Sequence, residues 1–292
     1  MIERILGIIV PVFLVVALGW VWARRTRPDM AWVNRLNMTV LAPALIFSAL
    51  AGKDFDLDAN RMLILGSIGV VVGSGLLAWP ISHLLREDPR TFVPPMMFNN
   101  CGNMGLPLAV LAYGQAGFSP MVALFTVSNL LHFTLGVWII DHHARFGRLL
   151  ANPMVVATVV GFVFAAVHPP LPEWLATALK LTGDAMIPLM LISLGVRLSD
   201  DVPRSSFRLG VVGGVVCPLA GLAIAAALLF VLPLDREQQG LLLLFGALPP
   251  AVLNFMVAEQ FHQEPGKVAA IVLIGNFLAI AFVPLGLAFA LR

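Results

Sequence analysis

The stretch FNNCGNMGLPL, residues 98–108, interrupts an apolar part of the sequence with three asparagines, two glycines and a proline. Pro107 lacks a backbone N–H and would clash with the preceding turn of a helix. Gly102 and Gly105 weaken the helix before it, because glycine has the greatest backbone freedom. We therefore expect the helix that contains this stretch to break near residues 102–106.

The composition indicates the solvent in which such a break must be stable. Over 292 residues, 59% are hydrophobic, only 12% are charged and the mean hydropathy is +0.92. These values favour an all-α, multi-pass integral membrane protein over a water-soluble domain. The net charge of +2, without a long basic run, argues against a nucleic-acid partner. Cys101 and Cys217 lie in apolar segments, which favours small buried side chains over a disulfide.

Ten apolar runs of about 20 residues predict ten transmembrane helices. The connections between them are short, so we expect no separate soluble domain. The loops after the odd-numbered runs carry twelve Lys and Arg residues and the other side carries five. By the positive-inside rule, both termini face away from the cytoplasm. The runs are residues 5–23, 33–51, 62–85, 92–113, 118–140, 152–167, 174–196, 207–231, 238–259 and 267–290.

The two halves of the chain resemble each other. Four segments recur in the same order at offsets of 143 to 147 residues, which predicts a duplicated five-helix unit over residues 1–145 and 146–292. Because five is odd, the second copy must enter the membrane from the opposite side, as in the inverted repeats of secondary transporters. The matched positions are Pro43 with Pro188, Leu65 with Leu209, Pro107 with Pro250, and Asn129 with Asn276.

The ninth run carries a second predicted break, at Leu248-Pro249-Pro250. We expect the broken fourth and ninth helices to cross near the centre of the bilayer. Asparagines beside the breaks can bond to the opened backbone or to a solute, and the positive ends of the resuming half-helices favour a carboxylate. The predicted substrate-binding residues are Asn99, Asn100, Asn103, Gly105, Pro107, Pro249, Pro250 and Asn254.

The CGNMGLP stretch, residues 101–107, the ten runs and the proline break in the ninth run resemble the auxin efflux carrier family of bacterial permeases. That family is related to the plant PIN auxin carriers and more distantly to bile acid:sodium symporters. The resemblance carries Asn103, Pro107 and Pro250 over to the crossover region. The sequence departs from the plant carriers in lacking their long loop between helices 5 and 6, and NNCGN replaces their asparagine-proline-asparagine motif.

The resemblance implies a scaffold domain of helices 1, 2, 6 and 7 and a transport domain of helices 3–5 and 8–10. It also implies elevator-type alternating access and, often, a homodimer formed through the scaffold helices. Malonate, malate and auxin-like acids are the substrates that it suggests.

Other polar residues within the runs have two interpretations each. Asn129 and Asn276 either support the crossover or touch the solute, and we favour support. His132, one helical turn beyond Asn129, either relays a proton or is a structural histidine. Asp184, near the middle of the seventh run and four residues after Lys180, is a coupling group or half of an ion pair. Asn37, Thr39 and Ser48 are weaker candidates for facing the solute from the second helix.

The sequence contains no HExxH, GxSxG, CxxC or phosphate-binding glycine loop, so we expect no enzyme, no metal and no cofactor. The expected function is secondary transport of a small organic anion across the cytoplasmic (inner) membrane, with the carboxylate and the lipid bilayer as partners. Proton coupling, sodium coupling and uniport stay open. The alternatives are a sodium-coupled, bile-acid-type symporter, a channel or a membrane enzyme.

Overall fold

The structure, a computed structural model, describes residues 2–52, 55–142, 152–200 and 204–291. The predicted boundary between residues 145 and 146 lies outside these ranges. So do Lys53, Arg145, Arg148 and Arg292, which contribute to the charge count.

Besides a short 3₁₀ helix at Arg204–Ser206, twelve helices occupy the described ranges. Each predicted run coincides with one helix, except that the fourth and ninth runs each form two helices separated by a short extended link. In chain order the helices are α1 (Ile2–Thr26), α2 (Ala31–Leu50), α3 (Leu57–Leu85), α4 (Pro89–Met97), α5 (Cys101–Tyr113), α6 (Phe118–Ile140), α7 (Pro153–Val167), α8 (Glu173–Arg197), α9 (Phe207–Leu228), α10 (Arg236–Gly246), α11 (Val252–Gln260) and α12 (Pro265–Ala290).

Seven of the described helices are long and apolar enough to cross a membrane, namely α1, α2, α3, α6, α8, α9 and α12. The chain is accordingly a multi-pass membrane protein. α5 and α7 are apolar but shorter. The count of ten crossings and the inverted repeat stay predictions.

One group of helices consists of α1, α2, α7 and α8. α1 packs along the second half of α8, while α2 packs against α7 and the first half of α8. The contact between α1 and α8 depends on small residues, since a Cβ atom at Gly195 would collide with the carbonyl group of Val16. α8 is interrupted at Ala185, where Pro188 cannot donate to the carbonyl of Asp184 four residues earlier.

The other group consists of α3 to α6 and α9 to α12. α9 packs against α12, α3 and α10, and α3 packs against α4 and α6. Fully buried side chains such as Phe92, Leu108, Met121 and Phe245 form the core of this group. The two groups meet where α2 packs against α6 and where α1 packs against α5 and α12.

The interruption between α4 and α5 lies one turn earlier than predicted. The chain leaves α4 at Phe98, whose φ of −106° and ψ of 104° are extended, and becomes helical again at Cys101. The predicted break at residues 102–106 is wrong because that segment forms a π-helical turn, Cys101–Gly105, continuous with the rest of α5. Tertiary pairing with the second interruption, rather than the glycines, sets the position of the break.

The interruption between α10 and α11 lies where it was predicted. α10 ends at Gly246 and α11 begins at Val252, so Pro249 and Pro250 occupy the extended link. Both the fourth and the ninth run are therefore broken.

Three helices contain a π-helical turn. These turns are Asn37–Leu41 in α2, Cys101–Gly105 in α5 and His132–Gly136 in α6. A π turn holds one residue more than an α turn and is frequent at functional sites. All three turns contribute residues to the cavity described below.

Candidate functional site

The two extended links cross and pair through their backbones. The Asn100 N–H donates to the carbonyl of Pro249 at 2.7 Å, and the Ala251 N–H donates to the carbonyl of Phe98 at 2.9 Å. Asn99 and Pro250 thus face each other as one antiparallel pair. A buried backbone group left unsatisfied costs several kcal/mol, so each link stabilises the other.

Asn276 on α12 ties this crossing to its surroundings. Its Nδ2 donates to the carbonyls of Pro250 at 2.9 Å and Val272 at 2.8 Å. Its Oδ1 accepts from Nδ2 of Asn100 at 2.7 Å. Asn276 is 1% exposed, and its hydrogen bonds with Asn100 and Pro250 connect both links to α12.

Asn254 and Asn99 brace the two ends of the crossing. Nδ2 of Asn254 donates to the carbonyls of Phe98 at 2.8 Å and Ala251 at 3.0 Å. Nδ2 of Asn99 donates to the carbonyl of Phe245, which closes the last turn of α10. Both side chains therefore satisfy carbonyls that the interruptions would otherwise leave unpaired.

A cavity of about 720 Å³ lies beside the crossing, between the two groups of helices. Its wide end is formed where helices end, by Asp29, Arg35, Arg197, Asp200 and Glu259. Most of these side chains are exposed, so the cavity opens at that end. Its deep end carries neutral polar side chains among apolar ones such as Phe125 and Met190. The asparagine, serine and histidine side chains there are Asn37, Asn99, Asn100, Asn103, Ser128, Asn129, His132 and Ser193.

Five buried polar atoms in residues that line this cavity have no hydrogen-bond partner among the described residues. They are Oδ1 of Asn37, Oδ1 of Asn99, Nδ2 of Asn129, Nε2 of His132 and Oγ of Ser193. Buried polar groups are nearly always paired in stable proteins. A concentration of unpaired donors and acceptors around one cavity is therefore typical of a site that holds a polar solute.

His132 is held at the deep end of the cavity by an aromatic stack. Its ring lies on the ring of Phe98, with centroids 4.1 Å apart and planes 5° from parallel. Gly136 leaves space for this stack, since a Cβ atom there would lie 2.6 Å from Phe98 Cε2. His132 is 2% exposed.

The predicted site residues separate into two sets. Asn99, Asn100, Asn103, Asn129 and His132 line the cavity. The others lie outside the cavity lining, and all of them except Pro107 form or contact the crossing: Gly105, Pro107, Pro249, Pro250, Asn254 and Asn276.

Gly105 lies outside the cavity lining, and Asn129 lies within it. Gly105 gives room to the other link, since a Cβ atom there would lie 2.9 Å from Leu248 Cδ1. Asn129, expected to support the crossing, instead lines the cavity with its Nδ2 unpaired. The match between Asn129 and Asn276 in sequence thus does not extend to their hydrogen bonds.

Asp184 lies away from the cavity. It pairs with Lys180 at 2.9 Å on α8, and 48% of its side chain and 60% of that of Lys180 are exposed in the single chain. Its position fits the structural ion pair and gives no support to a coupling role.

Sequence reasoning missed several residues of the lining. Ser193 and Met190 on α8, and Arg197 at its end, face the cavity. Arg197 lies 3.7 Å from the ring centroid of Phe255 and pairs with Asp200. The only signal for these residues was the similarity between α2 and α8, since Asn37 and Thr39 on α2 also line the cavity. Ser48 does not, and donates to a carbonyl of its own helix.

A polar network outside the spans joins the start of α4 to the start of α12. Gln263 Nε2 donates to Asp88 at 3.0 Å, and Thr91 Oγ1 donates to Glu264 at 2.6 Å. Lys267 pairs with Glu87 at 2.8 Å and with Glu264 at 2.7 Å.

The same network sets the charge of two carboxyl groups. Burial alone would raise the pKa of Asp88, but hydrogen bonds from Arg90 and Gln263 outweigh it and hold this pKa below its ordinary value. Burial would also raise the pKa of Glu264, but hydrogen bonds from Lys267 and Thr91 outweigh this effect. The pKa of Glu264 is therefore lowered as well. Both groups are therefore anionic near neutral pH.

No group of three or more His, Cys, Asp or Glu residues is placed to hold a metal ion in the part of the chain that the structure describes.

Comparison with known proteins gives matches along nearly the whole chain. The profile of the family described as "Membrane transport protein" matches residues 4–147 and 145–287. The "Putative malonate transporter" of Rhizobium meliloti (strain 1021) is 25% identical over 313 residues, which cover 99% of this chain and 96% of that protein.

Two plant proteins match about half of the chain. "Protein PIN-LIKES 5" of Arabidopsis thaliana is 33% identical over 154 residues, 47% of this chain. "Auxin efflux carrier component 8" of the same plant is 23% identical over 139 residues, 46% of this chain. The matched part covers 38% of the length of each plant protein.

Proposed function

The chain belongs to the membrane transport protein family, the auxin efflux carrier family that its sequence resembles, and we propose that it carries a small organic anion across the cytoplasmic membrane. The cavity beside the crossing is the substrate site in this proposal. The observation that carries it is the set of unpaired polar atoms at the deep end of the cavity.

The chemistry of the deep end supports an anion of modest size. Asn100, Asn103 and Asn129 line it, and their amide N–H groups are neutral donors that suit a carboxylate. α5 and α11 both begin at the crossing, and the start of α11 at Ala251 has no side-chain cap. The first N–H groups of a helix have no partner within it and carry a partial positive charge, which favours an anion.

Two features support alternating access. In the part of the chain that the structure describes, the cavity opens at one end, beside Asp29 at the end of α1. Near the opposite end of α1, Arg4 Nη2 donates to the carbonyl of Ala112 at 3.1 Å and so joins α1 to α5. By the charge distribution, the open end faces the cytoplasm and both termini face away from it.

We propose that the helices α3 to α6 and α9 to α12 move as one body against α1, α2, α7 and α8, which is an elevator-type motion. The bonds of the crossing lie within the moving body, α3 to α6 and α9 to α12, and would survive such a motion. The contacts between the groups, such as that of Arg4 with Ala112, would break and re-form. A homodimer formed through α1, α2, α7 and α8 is part of the same proposal.

Malonate is the first substrate to test, because the relative matched over nearly its full length is named as a malonate transporter. The purified protein would be reconstituted in liposomes, and uptake of labelled malonate, malate and indole-3-acetate would be measured with proton and sodium gradients imposed separately. We expect saturable uptake of at least one acid. Uptake no faster than that of protein-free liposomes, for all three acids under every gradient, would refute the proposal.

Asn103→Ala tests the site itself. Asn103 lines the cavity beside the crossing, so we expect this variant to lose at least nine-tenths of the uptake while unfolding at the temperature of the wild type. Asn60→Ala is the matched control, because Asn60 is also buried but bonds to the carbonyl of Asp56 on α3, outside the cavity. Wild-type uptake by folded Asn103→Ala would remove Asn103 from the site.

A further inference from the structure

We propose that His132 binds a proton together with the substrate carboxylate, so that the cavity takes up the acid as a proton and an anion. This inference rests on the proposed function and adds to it the coupling ion and the residue that carries it. The structural basis is the position of His132 in the cavity wall, its burial and the lack of a partner for its Nε2.

A neutral imidazole offers one donor and one acceptor, whereas an imidazolium offers two donors and a positive charge. In the single chain, His132 is 2% exposed, and its Nε2 has no hydrogen-bond partner among the described residues. A buried charge without a counter-charge is strongly disfavoured. The imidazole is therefore neutral while the cavity holds only water.

Among the residues that the structure describes, the cavity lining offers His132 no counter-charge at its deep end. Among the described residues of the cavity, the charged and titratable side chains other than His132 itself lie at the wide end, with the exception of Cys101. Arg90 on α4, which packs against the end of α6, is paired with Asp88 at the start of α4. The charged and titratable residues that share the cavity are Asp29, Arg35, Cys101, Arg197, Asp200 and Glu259.

A carboxylate at the deep end supplies the missing counter-charge. Asn129 lies three residues before His132 on the same face of α6, and its Nδ2 is also unpaired. One carboxylate can accept from this amide and from the imidazolium. The bond from the imidazolium is the stronger of the two because both of its partners are charged. The ring of Phe98, stacked at 4.1 Å, adds an attraction between its face and the cationic imidazolium.

Proton and carboxylate then raise each other's affinity, as linkage requires. On the side where the cavity is open, a proton from water joins the lone pair of the imidazole as the carboxylate enters. On the other side the carboxylate leaves, and the imidazolium returns its proton to water. The net cargo is one proton with each carboxylate, and no other reactant is needed.

Proton uptake on binding is the direct test. The heat of binding of malonate, malate or indole-3-acetate to the purified wild type would be measured by calorimetry in buffers of different ionisation enthalpy. For an acid that binds, we expect uptake of about one proton per molecule and an affinity that rises up to about tenfold per unit decrease of pH between pH 8 and pH 6. Binding without proton uptake would overturn the inference and leave the proposed function standing. If none of the three acids binds, both fall.

Substitutions of His132 test whether this residue takes up the proton. His132→Gln and His132→Asn keep a neutral donor near Nε2 or Nδ1, so we expect both to bind the acid with no proton uptake and a flat pH dependence. His83→Gln is the matched control, since His83 is an exposed histidine on α3 outside the cavity. Thermal unfolding would establish that each variant is folded. Unchanged proton uptake by either folded His132 variant would refute the assignment.

Discussion

Asn100 in the first extended link donates its side-chain amide to Oδ1 of Asn276 on α12, at 2.7 Å. These residues are 176 positions apart in the chain. The bond joins the crossing to a continuous, apolar helix, so the links are fixed to α12 as well as to each other.

Asn276→Leu is expected to destabilise the protein. It removes the partner of Asn100 and the donor to the carbonyls of Pro250 and Val272. Because buried groups left unpaired cost about 1–3 kcal/mol each, we expect a clear fall in the temperature of unfolding, measured by intrinsic fluorescence. Asn60→Leu, which loses only a bond to a carbonyl of the preceding turn, should have the smaller effect. An equal effect of the two would contradict the bracing role.

Arg4→Gln is expected to loosen the end of the molecule opposite the cavity mouth. Arg4 joins α1 to the last turn of α5 through the carbonyl of Ala112, at a helix end where a cation is favoured. We expect faster amide hydrogen exchange over residues 106–113 and a larger population open at this end. Arg61→Gln is the control, since Arg61 is exposed on α3. Identical exchange in Arg4→Gln and wild type would argue against a closing contact.

Acid is expected to weaken the network between α4 and α12. The pKa values of Asp88 and Glu264 are lowered in the folded protein. Their contribution to the free energy of unfolding is therefore present above the pKa of the unfolded chain and is lost as the pH falls through the pKa of the folded protein. The temperature of unfolding should fall between pH 6 and pH 3, and less steeply in Asp88→Asn/Glu264→Gln. Glu173→Gln, at an exposed helix start, should keep the wild-type slope. A double variant as steep as wild type would exclude this network as a source of acid sensitivity.

The pair of Lys180 and Asp184 is expected to be dispensable for transport. Both side chains are about half exposed and lie outside the cavity lining. We expect Lys180→Gln/Asp184→Asn to change the free energy of unfolding by about 1 kcal/mol or less, as for exposed ion pairs. Uptake of the transported acid should keep its wild-type dependence on pH. A change in that dependence would restore Asp184 as a coupling group.

Much of the fold could be predicted because its strongest determinants are local. Length and hydropathy locate the helices, and Pro249 and Pro250 locate the second interruption, since proline cannot continue a helix there. The first interruption was misplaced because Gly102 and Gly105 are compatible with a π-helical turn. The backbone bond between Asn100 and Pro249, which sets the true position, joins distant parts of the chain and has no local signature.

Part of the candidate site could also be predicted from local sequence. Asparagines near a break indicate a polar site, and Asn99, Asn100 and Asn103 do line the cavity. Sequence cannot tell which asparagine faces the cavity and which one bonds to backbone, because the same side chain serves both purposes. Asn254, predicted among the substrate-binding residues, bonds to the backbone of the crossing, whereas Asn129, for which support was favoured, lines the cavity.

The two backbone bonds of the crossing involve main-chain atoms of Phe98, Asn100, Pro249 and Ala251 only. Every residue type supplies a carbonyl, and every residue type except proline supplies an N–H. Among substitutions at these four positions, only proline at Asn100 or Ala251 would remove a donor of the two backbone bonds themselves. The preference for one solute over another can thus drift or be redesigned through nearby side chains while the frame that presents them stays unaltered.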